Sequence, residues 1–272
     1  MSETILDKIF AAKKIRVEAA KRSIGLERMM ELAAVKRASS ENHRFSSELQ
    51  VPDRLNIIAE FKRASPSKGT INDSVDAIDI ARAYKKGGAA AISVLTEEDF
   101  FDGSLADLRS VRNVVDLPIL RKDFIFDPFQ IYEAAEAGAD AILLIASILG
   151  DEALVELHHL AEVTLGLDAL VEVHTLEELK RVIDIGVRLM GVNNRDLRTF
   201  NVSLDVSREL IKHSPKDAVM ITESGLRTRD DLIDLRELGY SGFLIGETLM
   251  RSGDPEAELR KLATEAIDTE SI

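Results

Sequence analysis

The sequence predicts an α/β protein, a (β/α)8 TIM barrel with an N-terminal helical extension, and three observations carry that expectation. Short apolar, partly β-branched runs recur eight times, at 57–61, 90–95, 118–121, 141–145, 169–173, 189–192, 219–222 and 242–245. Amphipathic stretches at helical spacing separate them, and the resulting repeat of roughly 20 to 33 residues suits βα units, not heptads or hairpins. The runs are also nearly continuous in apolar character, as parallel strands covered on both faces must be. Eight such units close naturally into a barrel. A doubly wound open sheet is the competing architecture, disfavoured because no GxGxxG follows the first run.

Taken in order, residues 4–38 read as two helices, with Ile5, Ile9 and Phe10, then Leu26, Met29, Met30 and Leu32, at helical spacing and Gly25 as the break between them. Residues 39–56 are polar and read as an irregular connecting loop. Helices are expected at 76–86, 128–137, 151–165, 176–185 and 229–238, several ending at glycine: Gly87-Gly88, Gly138, Gly186 and Gly239. The expected organisation is one barrel domain over residues 1–272, with 1–50 packed on it as a helical extension; 272 residues is an ordinary size for such a unit.

Composition narrows the function. The balance of 48 acidic against 35 basic residues, with no basic stripe, argues against a nucleic-acid partner. Absence of cysteine removes disulfides, thiolate metal sites and a cysteine nucleophile. His43, His158, His159, His174 and His213 show no metal-ligand spacing, so neither metal nor cofactor is expected. No basic start leads into an apolar core at the N-terminus, and the longest apolar run, 141–149, is too short for a bilayer. A cytoplasmic enzyme without a membrane partner is the expectation; oligomeric state is left open, a monomer being compatible.

Chemistry in such barrels sits at the C-terminal ends of the strands. The stretch 57–69, IIAEFKRASPSKG, is the centre of this reading: alternation puts Ile58, Glu60 and Lys62 on one face, so an acid and a base share the exit of the first strand. The third run ends in Arg121-Lys122-Asp123 with Lys122 on the face of Leu120, and the fifth carries Glu172 between Val171 and Val173. The sixth ends in Asn193-Asn194-Arg195-Asp196 and the seventh in Glu223-Ser224-Gly225. Each could be a solvated strand end. Together Glu60, Lys62, Lys122, Glu172 and Glu223 form a ring that can pair internally, which lowers the cost of burial and shifts pKa values toward acid–base work. Phosphate is suggested separately. The glycine-bearing loops ESGL (223–226) and IGETLM (245–250) occupy the phosphate position of many barrels, and Ser65, Ser67 and Lys68 adjoin them across the ring. Taken singly, Gly225 and Gly246 could be ordinary turn glycines. Phe101, Phe124 and Leu197, which could equally be core residues, would give a flat ring an apolar wall.

These motifs resemble those of the indole-3-glycerol phosphate synthase family along essentially the whole chain: IIAEFKRASPSKG, SVLTEEDFFDGS, PILRKDFIFDPFQIYEA, LVEVHTLEEL, GVNNRDLRTF, ITESGL and GFLIGETLM. The resemblance implies a carbon–carbon lyase of tryptophan biosynthesis that cyclises 1-(2-carboxyphenylamino)-1-deoxyribulose 5-phosphate with loss of carbon dioxide and water. It implies Lys122 as general acid at the substrate carbonyl, Glu172 in proton transfer during the later dehydration, and Glu60 pairing with and orienting the lysines and sharing in proton transfer. Lys62 would contact substrate, and Asn193, Arg195, Glu223 and Ser224 would hold substrate and acid–base groups in place. Ser65, Gly225, Gly246 and the Glu247 amide would hold the phosphate, with the Glu247 carboxylate turned away, while Phe101, Phe124 and Leu197 line the anthranilate pocket. It further implies that the helical extension helps cover the active-site end.

The alternatives are a class I aldolase-like barrel using Lys122 or Lys62 as a Schiff-base nucleophile, a phosphoribosyl isomerase, and a non-catalytic barrel that binds a phosphorylated metabolite. The isomerase is disfavoured by the lack of cysteine, the binding module by the intact set Glu60, Lys122 and Glu172.

Overall fold

Eight parallel strands form a closed ring in the computed structural model, which describes residues 5–72, 75–196 and 199–263. They are β1 (Ile57–Phe61), β2 (Ala91–Leu95), β3 (Ile119–Lys122), β4 (Ala141–Ile145), β5 (Asp168–Val173), β6 (Leu189–Asn193), β7 (Val219–Glu223) and β8 (Gly242–Ile245). Three of the strands have the bounds that apolar runs suggest. β2 begins one residue later than its run and β5 one earlier, and in β3, β6 and β7 the ladder runs one residue further, taking in Lys122, Asn193 and Glu223. The difference is physical: an apolar run ends where side-chain polarity changes, whereas ladder hydrogen bonds are made by the backbone whatever the side chain.

Alternation along each strand builds two cores. Ile57, Ala59 and Phe61 face outward and pack with the surrounding helices, as do Ile92, Ile119 and Val171. Ile58, Leu120, Leu170 and Ile221 face inward. Two residues beyond each of these inward residues stand Glu60, Lys122, Glu172 and Glu223, so the period that fills the barrel also delivers these four groups to its C-terminal rim.

The N-terminal end is plugged by a segment expected to be irregular. Within 39–56 the chain forms α3 (Arg44–Glu48), and Phe45 and Leu49 are fully buried against Ile58, Leu189 and Leu244. Two apolar residues four apart make one helical turn amphipathic, too short a signal to stand out as periodicity. The seam that closes the ring lies beside it: Ile57 pairs with Phe243. Asn56 Nδ2 donates to the carbonyls of Leu49 (2.7 Å) and Ser241 (2.9 Å).

Helices fill the outer layer. α4 (Ala77–Gly87), α6 (Pro128–Ala137), α8 (Leu176–Asp184) and α10 (Arg229–Leu238) fall where expected, and α7 (Asp151–His159) passes into a π-helical turn over Leu160–Thr164. Side-chain caps from Asp76, Asp127, Thr175 and Thr228 satisfy first-turn amides, each worth about 1 kcal/mol. α5 (Leu105–Val114), α9 (Asp205–Leu210), α11 (Glu247–Arg251) and α12 (Pro255–Ala263) are the other α-helices of the barrel among the described residues.

The extension consists of α1 (Ile5–Ile24) and α2 (Leu26–Arg37), broken at Gly25, whose φ of 78° suits glycine. Met29 of α2 and Val17 of α1 pack on Phe129 of α6. α1 also sends a lysine inward: Lys13, 3% exposed, pairs with Asp123 at 2.9 Å and Glu98 at 2.7 Å. No helix among the described residues is long and apolar enough to cross a membrane.

Candidate active site

A cavity of about 660 Å³ opens at the C-terminal end of the barrel. Its floor is apolar, formed by Leu95, Leu143, Ile145 and Leu244, and its charged wall comes from the strand ends. β1 ends in Glu60 and, just past it, Lys62, whose Nζ lies 2.5 Å from Glu60 Oε1. Across the ring Lys122 Nζ pairs with Glu172 Oε2 at 3.2 Å and in closer contact with Glu223 Oε2. The acid–base ring therefore resolves into two clusters. Glu60 holds Lys62, while Lys122 belongs to Glu172 and Glu223.

These groups are mostly buried, with Lys122 showing 13% of its side chain and Glu223 1%. Burial alone would strip the charge from Lys122; the carboxylates of Glu223, Glu172 and Glu60 overcome it and raise its pKa above the ordinary lysine value. Burial likewise opposes charge on Glu172, but Lys122, His174 and the Asn193 amide hold it well below the usual carboxylate range. Glu223 goes the other way: burial and the neighbouring carboxylates of Glu172 and Glu60 outweigh Lys122, and its pKa is pushed up to about 7. The site thus holds an ammonium, a firmly ionised carboxylate and a carboxyl that titrates near neutrality.

The loops after β7 and β8 face the loop after β1. Ser65 and Gly69 pair across a short hairpin whose three-residue turn, 66–68, carries Ser67 and Lys68. Opposite, Ser224 and Gly225 both have left-handed backbones, φ 68° and 85°. For serine that conformation costs about 1–2 kcal/mol. Gly246 passes so close to Glu60 that a Cβ there would lie 2.5 Å from its Oε1. Glu247 turns its carboxylate to Arg251 (3.2 Å) and Lys68 (3.6 Å). Ser65, Gly225, Gly246 and Glu247 all line this end of the cavity.

Phe101 and Phe124 line the opposite side, ring centroids 6.1 Å apart. Leu197, expected with them, lies outside the described residues. Asn193 and Arg195 line the cavity together, the Arg195 amide donating to Asn193 Oδ1 at 3.0 Å. Ile5, Leu6 and Ile9 of α1 also line the cavity.

Several residues of the site escaped sequence reasoning. Lys13 reads as a solvated helix lysine, yet it reaches Asp123, the neighbour of Lys122. Asn194 is buried: its Nδ2 donates to Thr222 Oγ1 and to the carbonyls of Glu223 and Ser224, which fixes the β7 exit. His174 lies between Glu172 and Glu178, a contact signalled only by the spacing of four between His174 and Glu178. Groupings able to offer three metal ligands within 4.8 Å exist at His43, Glu162 and Asp168 and at Glu97, Glu98 and Asp99. None of these six lines the cavity.

Comparison with known proteins adds the following. A family profile described as indole-3-glycerol phosphate synthase matches residues 6–262. The chain is 48% identical over 262 residues to the protein of that name from Ruminiclostridium cellulolyticum, covering 95% of this chain and 98% of the relative. It is 47% identical over 283 residues to the one from Carboxydothermus hydrogenoformans, covering 94% and 98%. Among solved structures, 3-hexulose-6-phosphate synthase from Salmonella typhimurium aligns over 76% of this chain and 96% of its own, with a TM-score of 0.62 at 13% identity. Thiamine phosphate pyrophosphorylase from Pyrococcus furiosus aligns over 80% and 95%, with a TM-score of 0.56 at 15% identity. These two likenesses concern the fold alone.

Proposed function

The chain belongs to the indole-3-glycerol phosphate synthase family, and from that premise we propose how its own residues divide the family's reaction. The enzyme is a decarboxylating, ring-closing lyase of tryptophan biosynthesis acting on a phosphorylated small molecule. Its substrate, 1-(2-carboxyphenylamino)-1-deoxyribulose 5-phosphate, becomes indole-3-glycerol phosphate, carbon dioxide and water.

In the proposed assignment the phosphate sits against the Gly225 and Gly246 loops and Ser65, with the Glu247 amide beside it. The anthranilate ring lies on Phe101 and Phe124, with Leu197 the third expected member of that wall. Lys62 and Arg195 supply positive charge for the substrate's anionic groups, and Asn193 and Ser224 orient it. As the ring carbon bearing the carboxylate attacks the ketone, the carbonyl oxygen gathers negative charge and takes a proton from the Lys122 ammonium. Carbon dioxide then leaves, its bonding electrons returning to the aromatic ring. Loss of the new hydroxyl as water needs a further proton delivered to oxygen and one removed, and Glu172 carries proton transfer in that stage, with Glu60 placed to share it through Lys62. Glu223 holds Lys122 and, titrating near neutrality, can return a proton to it. A positioned acid or base of this kind contributes about 10²–10⁴ in rate.

The single observation that carries this reading is Lys122 pinned between Glu172 and Glu223 at the cavity wall. Pairing that keeps the lysine protonated also weighs against a Schiff-base nucleophile, which must be a free amine. The test is production of indole fluorescence from the carboxyphenylamino-deoxyribulose phosphate. Lys122→Ala should abolish turnover while leaving the fold and phosphate binding intact; near-normal activity in that variant would exclude Lys122 as the acid. One barrel domain with the extension as its cover is the organisation proposed, acting in the cytoplasm.

A further inference from the structure

His174 follows β5 directly, and its ring is caught between two carboxylates. Nε2 lies 3.2 Å from Glu172 Oε1, and Nδ1 lies 3.4 Å from Glu178 Oε2. The His174 backbone amide donates to that same Glu178 oxygen at 2.7 Å. Glu178 stands in the first turn of α8, capped by Thr175, so the far side of the clamp is a rigid helix start. The ring is 11% exposed and does not line the cavity.

Protonation state follows from this geometry. A neutral imidazole has one N–H and one bare lone pair, and here either tautomer would leave a bare ring nitrogen within 3.4 Å of a carboxylate oxygen. Only the imidazolium sets positive charge beside both carboxylates. The two contacts are ion pairs lying off the hydrogen-bond axis, since neither ring nitrogen has an aligned partner. Burial opposes the charge, but Glu172 and Glu178 prevail and raise the pKa to about 10.

Glu172 is therefore held from both sides. Lys122 from β3 takes Oε2, His174 takes Oε1, and the Asn193 amide from β6 adds a third contact. Arg181 of α8 acts on Glu178 from behind. We propose that His174 is a positioning residue for the reaction: as an imidazolium anchored on Glu178, it fixes the orientation of the Glu172 carboxylate and keeps that group ionised. The proposal rests on the reading of Glu172 as a proton-transfer group. It explains why Glu172 can take a proton without collapsing onto Lys122, the acid of the earlier step. With His174 neutral, one cation would serve two roles.

The test compares His174→Gln, which keeps a polar side chain without charge, with His174→Lys, which keeps the charge. Removing an opposite charge at this range moves a carboxyl by roughly one to three pH units. The Glu172 carboxyl, followed by its ¹³C shift, should titrate at higher pH in His174→Gln, with kcat lowered about 10-fold to 100-fold and KM little changed. His174→Lys should return that titration toward the wild-type position. A packing role predicts the reverse, with Gln behaving like wild type, and that result overturns the proposal. A measurement on the unaltered enzyme covers the case in which the variants fail to fold. The ¹⁵N shifts of His174 at pH 8 should show both ring nitrogens protonated, and a neutral ring there overturns the proposal as well. Glu172→Gln separates the two levels: near-normal turnover in that variant removes the reading of Glu172 itself, whereas an inactive Glu172→Gln beside an unshifted His174→Gln removes only the role of His174.

Discussion

Gly191→Ala offers a probe of the charged wall that alters no charged residue. Gly191 lies on β6, paired with Ile221 and Glu172, and a Cβ built there would sit 2.3 Å from Glu223 Oε1 and 3.2 Å from Leu170 Cδ1. Ordinary contact begins at 3.4 Å, so the Glu223 carboxylate must retreat by about 1.1 Å. The retreat is available because Glu223 is the end of a flexible side chain and that oxygen has no hydrogen-bond partner. Its other oxygen holds Lys122, so the lysine must either follow or lose the contact. A misplacement of about 1 Å at reacting groups costs on the order of 100-fold in rate. Overpacking costs about 1–3 kcal/mol of stability, or roughly 2–12 °C in Tm for a chain of this size. The expected result is a kcat lowered about 100-fold with KM nearly unchanged, in a protein that retains its circular dichroism. Steady-state assay of indole-3-glycerol phosphate formation alongside thermal melting measures both. A folded Gly191→Ala enzyme with kcat within about twofold of wild type would refute the reasoning, because 1 Å of displacement at Glu223 would then be immaterial to Lys122.

Two further perturbations probe the phosphate end and the extension. Gly225→Ala demands a left-handed alanine and sets a Cβ 2.7 Å from Val202 Cγ1, displacing the β7 loop. Loss of one hydrogen bond to a charged group, about 1.5–3 kcal/mol, should raise KM by roughly 10-fold to 100-fold with kcat little changed, and a KM within about twofold of wild type counts against a phosphate site there. Lys13→Met removes a buried cation from Asp123, which keeps Arg121 at 3.0 Å and Thr96 at 2.6 Å. Because those partners remain, the cost should fall below the 3–5 kcal/mol typical of a broken buried pair, at about 1–3 kcal/mol. It should appear as faster proteolytic cleavage within α1; unchanged protection would show that Lys13 does not tether the helix.

What could be read from the residues alone was what local periodicity encodes. A period of two makes Ile58 imply Glu60, Leu120 imply Lys122 and Leu170 imply Glu172, so strand identity and the inward face came together. Partnerships were legible only where they are local. Glu60 and Lys62 are two residues apart, but Lys122 meets Glu172 and Glu223 across 50 and 101 residues. Which carboxylate a lysine receives depends on the stagger of the closed ring, and no spacing in the chain encodes it. Lys13 was illegible for a related reason: a lysine on an amphipathic helix reads as solvated, and its partners lie 85 and 110 residues away. His174 left a faint trace in the spacing to Glu178, whereas Phe45 and Leu49 were obscured by the polar residues around them.

The seam between β1 and β8 also sets a timetable. Asn56 and Ser241 are 185 residues apart, and at the usual 5–20 residues per second the ribosome takes roughly 10–40 s to cover that distance. During that interval β1 has emerged with one edge still without its partner, the kind of exposed strand that recruits other chains. The barrel cannot be completed until nearly all of it has been made, so an interrupted nascent chain is left with an open sheet and half of each loop pair at the cavity rim. That edge of β1 is covered only when the last strand pairs with it.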